Sequence, residues 1–184
     1  SSLNRSSTSV VYNTNLVTKV YFPRMLIPLS GVLSGLIDLV IAFLLLLGLM
    51  AAYGIAPTSA AIFLPGLVLL ATVTALGFGL WLSALNVRFR DVNYIVPFLL
   101  QIWMYATPVV YASSLVGDRY QLLMGLNPMT GVVEGFRQAL LGRVMTDAGT
   151  HPLMLAISAI IAVLVLISGA YFFRHTERSF ADLI

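Results

Sequence analysis

The stretch from residue 39 to residue 87 contains no charged side chain, and it constrains the fold more than any other feature of the chain. A helix needs about 20 apolar residues to cross a bilayer core of about 30 Å, so this stretch is too long for one crossing and fits two. The sequence GIAPTS at 54–59 supplies the Gly, Pro and small polar residues of a turn between them. The stretch therefore predicts two transmembrane helices joined by a short turn.

Composition indicates an integral membrane protein. The chain is 59% hydrophobic and 9% charged, whereas soluble domains carry roughly 25% charged residues. The formal net charge of +3 does not indicate a nucleic-acid partner, because the Lys and Arg residues are spread between apolar runs. The chain has no cysteine, which excludes disulfides and thiolate metal sites within it.

Four transmembrane helices are predicted, at residues 32–53, 62–85, 92–111 and 153–173. Small residues along the second, among them Gly66 and Gly77, predict close helix packing. Seven of the ten Lys and Arg lie before the first helix, in the turn at 86–91 or after the last helix. Lys and Arg accumulate in cytoplasmic loops, so this distribution predicts that both termini are cytoplasmic.

Asp38 is the one carboxylate inside a predicted transmembrane helix. A charged group in hydrocarbon is costly and needs a partner, a proton or water. Its position near the start of the helix favours a structural role, in which it reaches interfacial water or Arg24. The alternative is a functional role in a polar pathway.

The N-terminal part of the chain is more polar than the rest. Residues 1–9 are rich in serine and predict a loop or tether. Residues 13–22 predict a short amphipathic helix, which Pro23 would end. Such a helix either anchors the chain at the membrane surface or docks on a cytoplasmic partner.

Residues 112–152 form the longest region without a full transmembrane helix. Asn127 and Pro128 predict a helix start at Met129, and Glu134 and Arg137 predict an ion pair along that helix, opposite its apolar stripe. This helix and the preceding LLMGL run are too short to cross a bilayer. They predict either two re-entrant half-helices in the outer face of the membrane or a helix lying on its surface.

Three ordered motifs resemble one known family. They are LNVRFRDVNYIVPFLLQIWMYATPVVY from residue 85, LNPMTGVVEGFRQALLG from residue 126 and, upstream, TNLVTKVYFPRMLIPLS from residue 14. The chain resembles the permease subunits of type-2 ABC exporters, in the branch that exports polysaccharides, O-antigen and teichoic acid chains. Members of that family have six transmembrane helices after an amphipathic N-terminal helix. The resemblance implies an N-terminally truncated copy, whose four helices are the last four of six.

By this resemblance, the chain is an all-α, multi-pass protein of the bacterial cytoplasmic membrane. Residues 1–31 would hold a cytoplasmic amphipathic coupling segment and residues 174–184 a cytoplasmic tail. Residues 32–173 would form the transmembrane domain, with an outer gate region of short re-entrant helices at 112–152.

The resemblance also implies a transport subunit rather than an enzyme. Two copies would form a homodimer around a conduit for a lipid-linked polysaccharide or polyol-phosphate chain. A separate ABC ATPase subunit would bind ATP and magnesium, since this chain has no P-loop pattern and is expected to bind no cofactor or metal and to carry no catalytic residue.

The residues expected to carry these roles form three groups. The ATPase-coupling group is Leu16, Val17, Lys19, Val20, Tyr21, Arg88, Arg90 and Asp91; the substrate-conduit group is Phe98, Gln101, Trp103, Tyr105 and Tyr111; the outer gate group is Asn127, Pro128, Glu134 and Arg137. Membrane anchoring or helix packing is the alternative role of the conduit aromatics, and Arg88, Arg90 and Asp91 alternatively contact lipid head groups.

Other functions stay open at this stage. A related permease could export a lipid or a drug. A membrane-embedded lipid-linked transferase or phosphatase would need clustered acid/base or metal-binding side chains, and the histidines His151 and His175 lie at opposite ends of the last predicted helix. A proton-coupled transporter would have to use Asp38, an isolated carboxylate.

Overall fold

The computed structural model describes residues 2–12, 24–89, 91–109, 111, 124–142 and 152–177. All regular secondary structure in these ranges is helical. The α-helices are α1 (Ser2–Tyr12), α2 (Leu26–Ala52), α3 (Leu64–Arg88), α4 (Val92–Ala106), α5 (Pro128–Leu141) and α6 (Pro152–Thr176), and a 3₁₀ helix spans Ser59–Phe63. The all-α prediction is confirmed for the described part of the chain.

Three helical stretches are long and apolar enough to cross a membrane: Leu26–Ala52, Ser59–Arg88 and Leu153–Thr176. They correspond to the first, second and fourth predicted transmembrane helices. An α-helix rises about 1.5 Å per residue, so each is longer than a bilayer core of about 30 Å. The chain is a multi-pass membrane protein.

The third predicted helix is shorter than the sequence indicates. Helix α4 has 15 residues, a length of about 22 Å at 1.5 Å per residue, so length alone does not assign it as a membrane crossing. It ends at Ala106 rather than near Tyr111. Pro108 explains this end, because proline has no N–H and disfavours helical backbone at the preceding residue, Thr107.

Helix α2 begins at Leu26, before the predicted start at residue 32. Pro28 lies in its first turn, where backbone N–H groups have no partner inside the helix, so the proline does not interrupt it. The predicted boundary between a coupling segment and a transmembrane domain at 31–32 therefore falls inside one continuous helix.

The prediction of a loop or tether at residues 1–9 is wrong, because Ser2–Tyr12 form helix α1. Ser6 is fully buried, and its Oγ donates to the carbonyl oxygen of Pro28 at 3.0 Å. A Cβ added to Gly31 would lie 2.8 Å from the backbone nitrogen of Ser6, so a larger residue at 31 would force the two helices apart. Serine composition suggested a loop, whereas close packing on α2 stabilises a helix.

The chain divides into two compact units. The first comprises Ser1–Asp38, Thr72–Gln101 and Val163–Ile184, and the second comprises Leu39–Ala71 and Ile102–Ala162. Buried apolar side chains of the first unit form one cluster: Ile27, Leu80, Ala84, Val87 and Phe173. In the second unit, α5 packs against the 3₁₀ helix.

The predicted use of glycine for close helix packing along the second predicted helix is confirmed at Gly77 and Gly79 but not at Gly66. A Cβ added to Gly77 would lie 2.7 Å from the backbone nitrogen of Leu166, so α3 and α6 are in close contact there. The indole Nε1 of Trp81 donates to Ser168 Oγ across the same pair of helices at 3.1 Å. At Gly66 an added Cβ would meet no described atom within 4 Å.

Candidate functional site

The turn between α3 and α4 carries predicted coupling charges. Arg88 is the exposed last residue of α3, where a cation interacts favourably with the helix C-terminus, and its guanidinium carbon lies 5.5 Å from the Phe89 ring centroid. Asp91 is also exposed. Both side chains are accessible to a partner or to lipid head groups. The other predicted coupling residues lie outside the described residues, and their role stays a prediction: Leu16, Val17, Lys19, Val20, Tyr21 and Arg90.

A buried amide lies just before this turn. Asn86 is buried, and its Nδ2 donates to the carbonyl oxygen of Ser7 at 3.0 Å. A buried polar group left without a partner costs about 1–3 kcal/mol, so this bond favours one position of α1 against α3. The bond from Ser6 to Pro28 fixes α1 against α2 in the same way. Helix α1 is thus attached by polar bonds to both of its neighbours in the first unit.

Asp38 contacts Arg5, whereas the sequence analysis expected it to reach interfacial water or Arg24. Its Oδ2 lies 3.2 Å from Nη1 of Arg5, which also donates to Ser34 Oγ at 3.3 Å. Arg24 instead donates to the carbonyl oxygen of Glu177 at 2.8 Å. The predicted contact with Arg24 is wrong because the two residues are separated by about 21 Å along a helix at 1.5 Å per residue, beyond the reach of an arginine side chain.

Asn127 connects two of the predicted groups of residues. Its Oδ1 accepts from the backbone N–H of Met129 at 3.1 Å, which caps α5 and confirms the predicted helix start. The same oxygen accepts from Nε1 of Trp103 at 2.9 Å, and Asn127 Nδ2 donates to Thr107 Oγ1 at 2.8 Å. A predicted outer gate residue is therefore bonded directly to a predicted conduit residue.

Glu134 and Arg137 form the predicted ion pair, with 2.9 Å between Oε1 and Nη1. Glu134 is 3% exposed, so its carboxylate is held inside the second unit. The Arg137 guanidinium also donates to the backbone carbonyl oxygens of Val109 at 2.9 Å and Tyr111 at 3.1 Å. One arginine thus joins α5 to the chain that follows α4.

The structure separates the predicted conduit residues into two groups. Phe98, Gln101 and Tyr105 are exposed on α4, and their spacing of three and four residues places them on one face of that helix. Trp103 is bonded to Asn127, and the carbonyl of half-buried Tyr111 accepts from Arg137. The exposed group is accessible for contact with a substrate, a second chain or lipid, whereas the other two are already engaged in the second unit.

The second unit contains an apolar cavity of about 430 Å³. Among the described residues its lining comes from α2 and α5 with Ala71 and Val109, and Arg137 is the only charged one. A hydroxyl-rich ligand would lose hydrogen bonds to water here and could replace few of them, since the described lining offers one charged side chain, that of Arg137. The cavity therefore suits hydrocarbon and not a sugar.

Comparison with known proteins decides the family. The sequence profile described as "ABC-2 type transporter" matches residues 1–141. The chain belongs to the ABC-2 type transporter family. It is 33% identical over 185 residues to the O-antigen export system permease protein RfbA of Myxococcus xanthus, an alignment that covers all of this chain and 70% of that protein. It is 23% identical to a protein of the same name from Klebsiella pneumoniae, with the same coverage.

In this ABC-2 type transporter, the residues that the sequence analysis missed are the small and polar side chains of α1. A Cβ on Gly31 or Gly35 would meet Ser6 or Ser2, respectively. The available signal was the four-residue spacing of small residues on both helices, which is typical of close helix pairs in membranes. Arg5 was missed for the same reason. It lies on the same helix as Ser6, and the packing of this helix on α2 brings Arg5 next to Asp38.

Proposed function

We propose that this chain is the permease subunit of an ATP-driven exporter that moves a lipid-linked polysaccharide or polyol-phosphate chain across the cytoplasmic membrane. The observation that carries the proposal is similarity along the whole chain to the O-antigen export permease of Myxococcus xanthus. Three long apolar helices agree with it. In this role the chain is a transport component and not an enzyme.

In this proposal α4 is a further membrane crossing, and the four crossings are the last four of six. Helix α4 is apolar and exposes most of its side chains, among them Ile95, Phe98 and Ile102, which favours lipid or protein surroundings over water. A helix somewhat shorter than the bilayer core is accommodated by local thinning or by flanking residues. The distribution of Lys and Arg supports cytoplasmic termini.

The outer gate is assigned to α5 and the residues around it. Helix α5 has 14 residues, about 21 Å at 1.5 Å per residue, which is too short to cross the bilayer. Its burial and its contact with the 3₁₀ helix Ser59–Phe63 support a re-entrant position inside the protein, because irregular backbone at membrane depth needs protein or water around it. Asn127, Pro128, Glu134 and Arg137 are its proposed structural residues.

ATP hydrolysis is assigned to a separate ABC ATPase subunit, where ATP and magnesium would bind. The amphipathic segment with Leu16, Val17, Lys19, Val20 and Tyr21 is the proposed contact with that subunit. Exposed charges at Arg88 and Asp91 support a second contact at the turn before α4. Closure of the ATPase on ATP would then push on both contacts.

The conduit is assigned to the interface between two copies of this chain. Phe98, Gln101 and Tyr105 are the proposed lining, because they share an exposed face of α4 that combines aromatic rings with a hydrogen-bonding amide. Aromatic rings stack on sugar rings, and an amide both donates and accepts, which suits a passage for a glycan.

A gene deletion tests this function. We expect loss of the chain to leave lipid-linked polysaccharide inside the cell and to remove it from the surface, and we expect re-expression to restore export. The matched control re-expresses the chain beside a partner ATPase whose own P-loop lysine is replaced, and it should not restore export. Normal surface polysaccharide in the deletion strain, with altered export of a phospholipid or a drug, would instead support the alternative exporter.

A further inference from the structure

Asp38 lies at the middle of a membrane-crossing helix. Helix α2 runs from Leu26 to Ala52, a length of about 40 Å at 1.5 Å per residue, against a bilayer core of about 30 Å. The midpoint of this range is Leu39, next to Asp38. When the helix is centred in the bilayer, the carboxylate is about as far from both interfaces as a residue of this helix can be. A charged side chain at the bilayer centre costs at least about 2.5 kcal/mol, and such residues mark polar pathways.

Pairing with Arg5 does not enclose this charge. The Arg5 and Asp38 side chains are 3.2 Å apart, yet they are 51% and 48% exposed. If hydrocarbon surrounded the ion pair, half of each charged side chain would be exposed to lipid, and this exposure costs a large free energy. Water, a polar substrate or polar protein groups are therefore the favourable surroundings of the exposed half.

The polar side chains continue from the ion pair along one line of α2. Ser30, Ser34 and Asp38 follow each other at intervals of four residues and so lie on one helical face, and Arg5 contacts two of them. Leu33 and Ile37, on the adjacent face, are 49% and 64% exposed. The two faces of α2 therefore differ in the polarity of their side chains and not in whether they are exposed. One face matches water and the other matches lipid.

We propose that these four residues, Arg5, Ser30, Ser34 and Asp38, line the cytoplasmic half of the export passage and bind sugar hydroxyl groups of the passing chain. We call them the polar strip. The proposal rests on the proposed function, because it names where that function would hold its substrate. It adds a binding site on α1 and α2, separate from the aromatic face of α4.

The chemistry of the polar strip favours sugar hydroxyls over phosphate. The ion pair is neutral overall, so it does not attract an anion as an unpaired arginine does. Among the described residues both contacts of Arg5 use Nη1, which leaves further N–H donors on the guanidinium. About half of the Asp38 side chain is exposed, so its carboxylate is accessible to further donors. Donors and acceptors side by side match a hydroxyl group, which both donates and accepts.

Single cysteines test whether the polar strip faces water, since the chain has no cysteine of its own. Ser34→Cys and the control Leu33→Cys differ by one residue in depth, and both leave the ion pair intact. In inside-out membrane vesicles carrying the full permease–ATPase complex, we expect a charged thiosulfonate reagent to modify Ser34→Cys at least about tenfold faster, because only a hydrated thiol forms the reactive thiolate. Equal rates, or faster modification of Leu33→Cys, would overturn the proposal.

A double substitution tests binding. Arg5→Met with Asp38→Leu removes both charges and leaves neither unpaired, so a purely structural ion pair would be replaced without loss of export. We expect normal amounts of the variant in the membrane and export reduced about tenfold, the loss typical of one charge-assisted hydrogen bond. The control Leu33→Met with Ile37→Leu alters the adjacent face and should export normally. Normal export by the Arg5/Asp38 variant contradicts the polar strip alone, whereas absence of glycan export by the wild-type complex contradicts the proposed function itself.

Discussion

Replacing Arg137 by leucine should destabilise the second unit severely. The guanidinium contacts Glu134 Oε1 at 2.9 Å, the Val109 carbonyl oxygen at 2.9 Å and the Tyr111 carbonyl oxygen at 3.1 Å. Glu134 is 3% exposed, so the variant removes the cation that is paired with a buried carboxylate. Removing one partner of a buried ion pair costs about 3–5 kcal/mol, and the two carbonyl oxygens lose a donor as well.

Two companion variants separate the charge from the packing. Glu134→Gln keeps a hydrogen-bonding side chain beside Arg137 and should cost only about 1 kcal/mol. Glu134→Gln combined with Arg137→Leu has no buried charge, so we expect it to be about 2 kcal/mol more stable than Arg137→Leu alone. This recovery by a second substitution is the specific signature of a buried ion pair.

The assay is the free energy of unfolding in mixed micelles, measured on the purified permease–ATPase complex by titration with denaturing detergent. Tryptophan fluorescence can follow the transition, because Trp103 donates to Asn127 at the start of α5. An Arg137→Leu variant within about 1 kcal/mol of wild type, far below the loss expected for a buried pair, would refute the reasoning. A double variant no more stable than the single one would refute it as well.

Other predictions address the remaining contacts. Asn127→Ala should lower the free energy of unfolding by about 2 kcal/mol, since it removes a helix cap and the acceptor of Trp103 Nε1. Asn127→Asp keeps an acceptor oxygen and should retain most of the wild-type stability, so equal losses for the two variants in a detergent titration would argue against the capping role. Gly31→Leu should force α1 away from α2 and lower the free energy of unfolding by about 1–3 kcal/mol, the cost of overpacking, and an unchanged free energy in the detergent titration would show that the helices are not in close contact there. Lys19→Ala with Tyr21→Ala should reduce co-purification of the ATPase and export while membrane insertion stays normal, and unchanged co-purification would remove the proposed coupling contact.

Features that depend on a few neighbouring residues could be predicted from the sequence. The uncharged stretch at 39–87 gave two of the observed long helices, because bilayer thickness alone determines the length required. Asn127 before Pro128 gave the start of α5, and the spacing of Glu134 and Arg137 gave their ion pair. Capping and i, i+3 pairing are local, so the rest of the fold does not have to be known.

Features that depend on distant residues could not be predicted. Serine is a modest helix former, so the local sequence of residues 1–9 indicates a loop. The helix is stabilised by packing against the glycine face of α2, and the local sequence does not show this contact. The partner of Asp38 is 33 positions away on another helix, and only the helical conformation of α1 brings it close. The early end of α4 is, by contrast, a local feature. Pro108 indicates it, because proline disfavours helical backbone at the residue before it.

The most direct test of the account is transport by the purified permease–ATPase complex in proteoliposomes. Lipid-linked polysaccharide is supplied on the ATPase side, and the fraction that becomes protected from an added glycosidase is measured with ATP, with a non-hydrolysable ATP analogue, and with a proton gradient alone. The account predicts protection only with ATP. Protection driven by the proton gradient, or no transfer of the polysaccharide with ATP while a lipid or drug is moved, would contradict it.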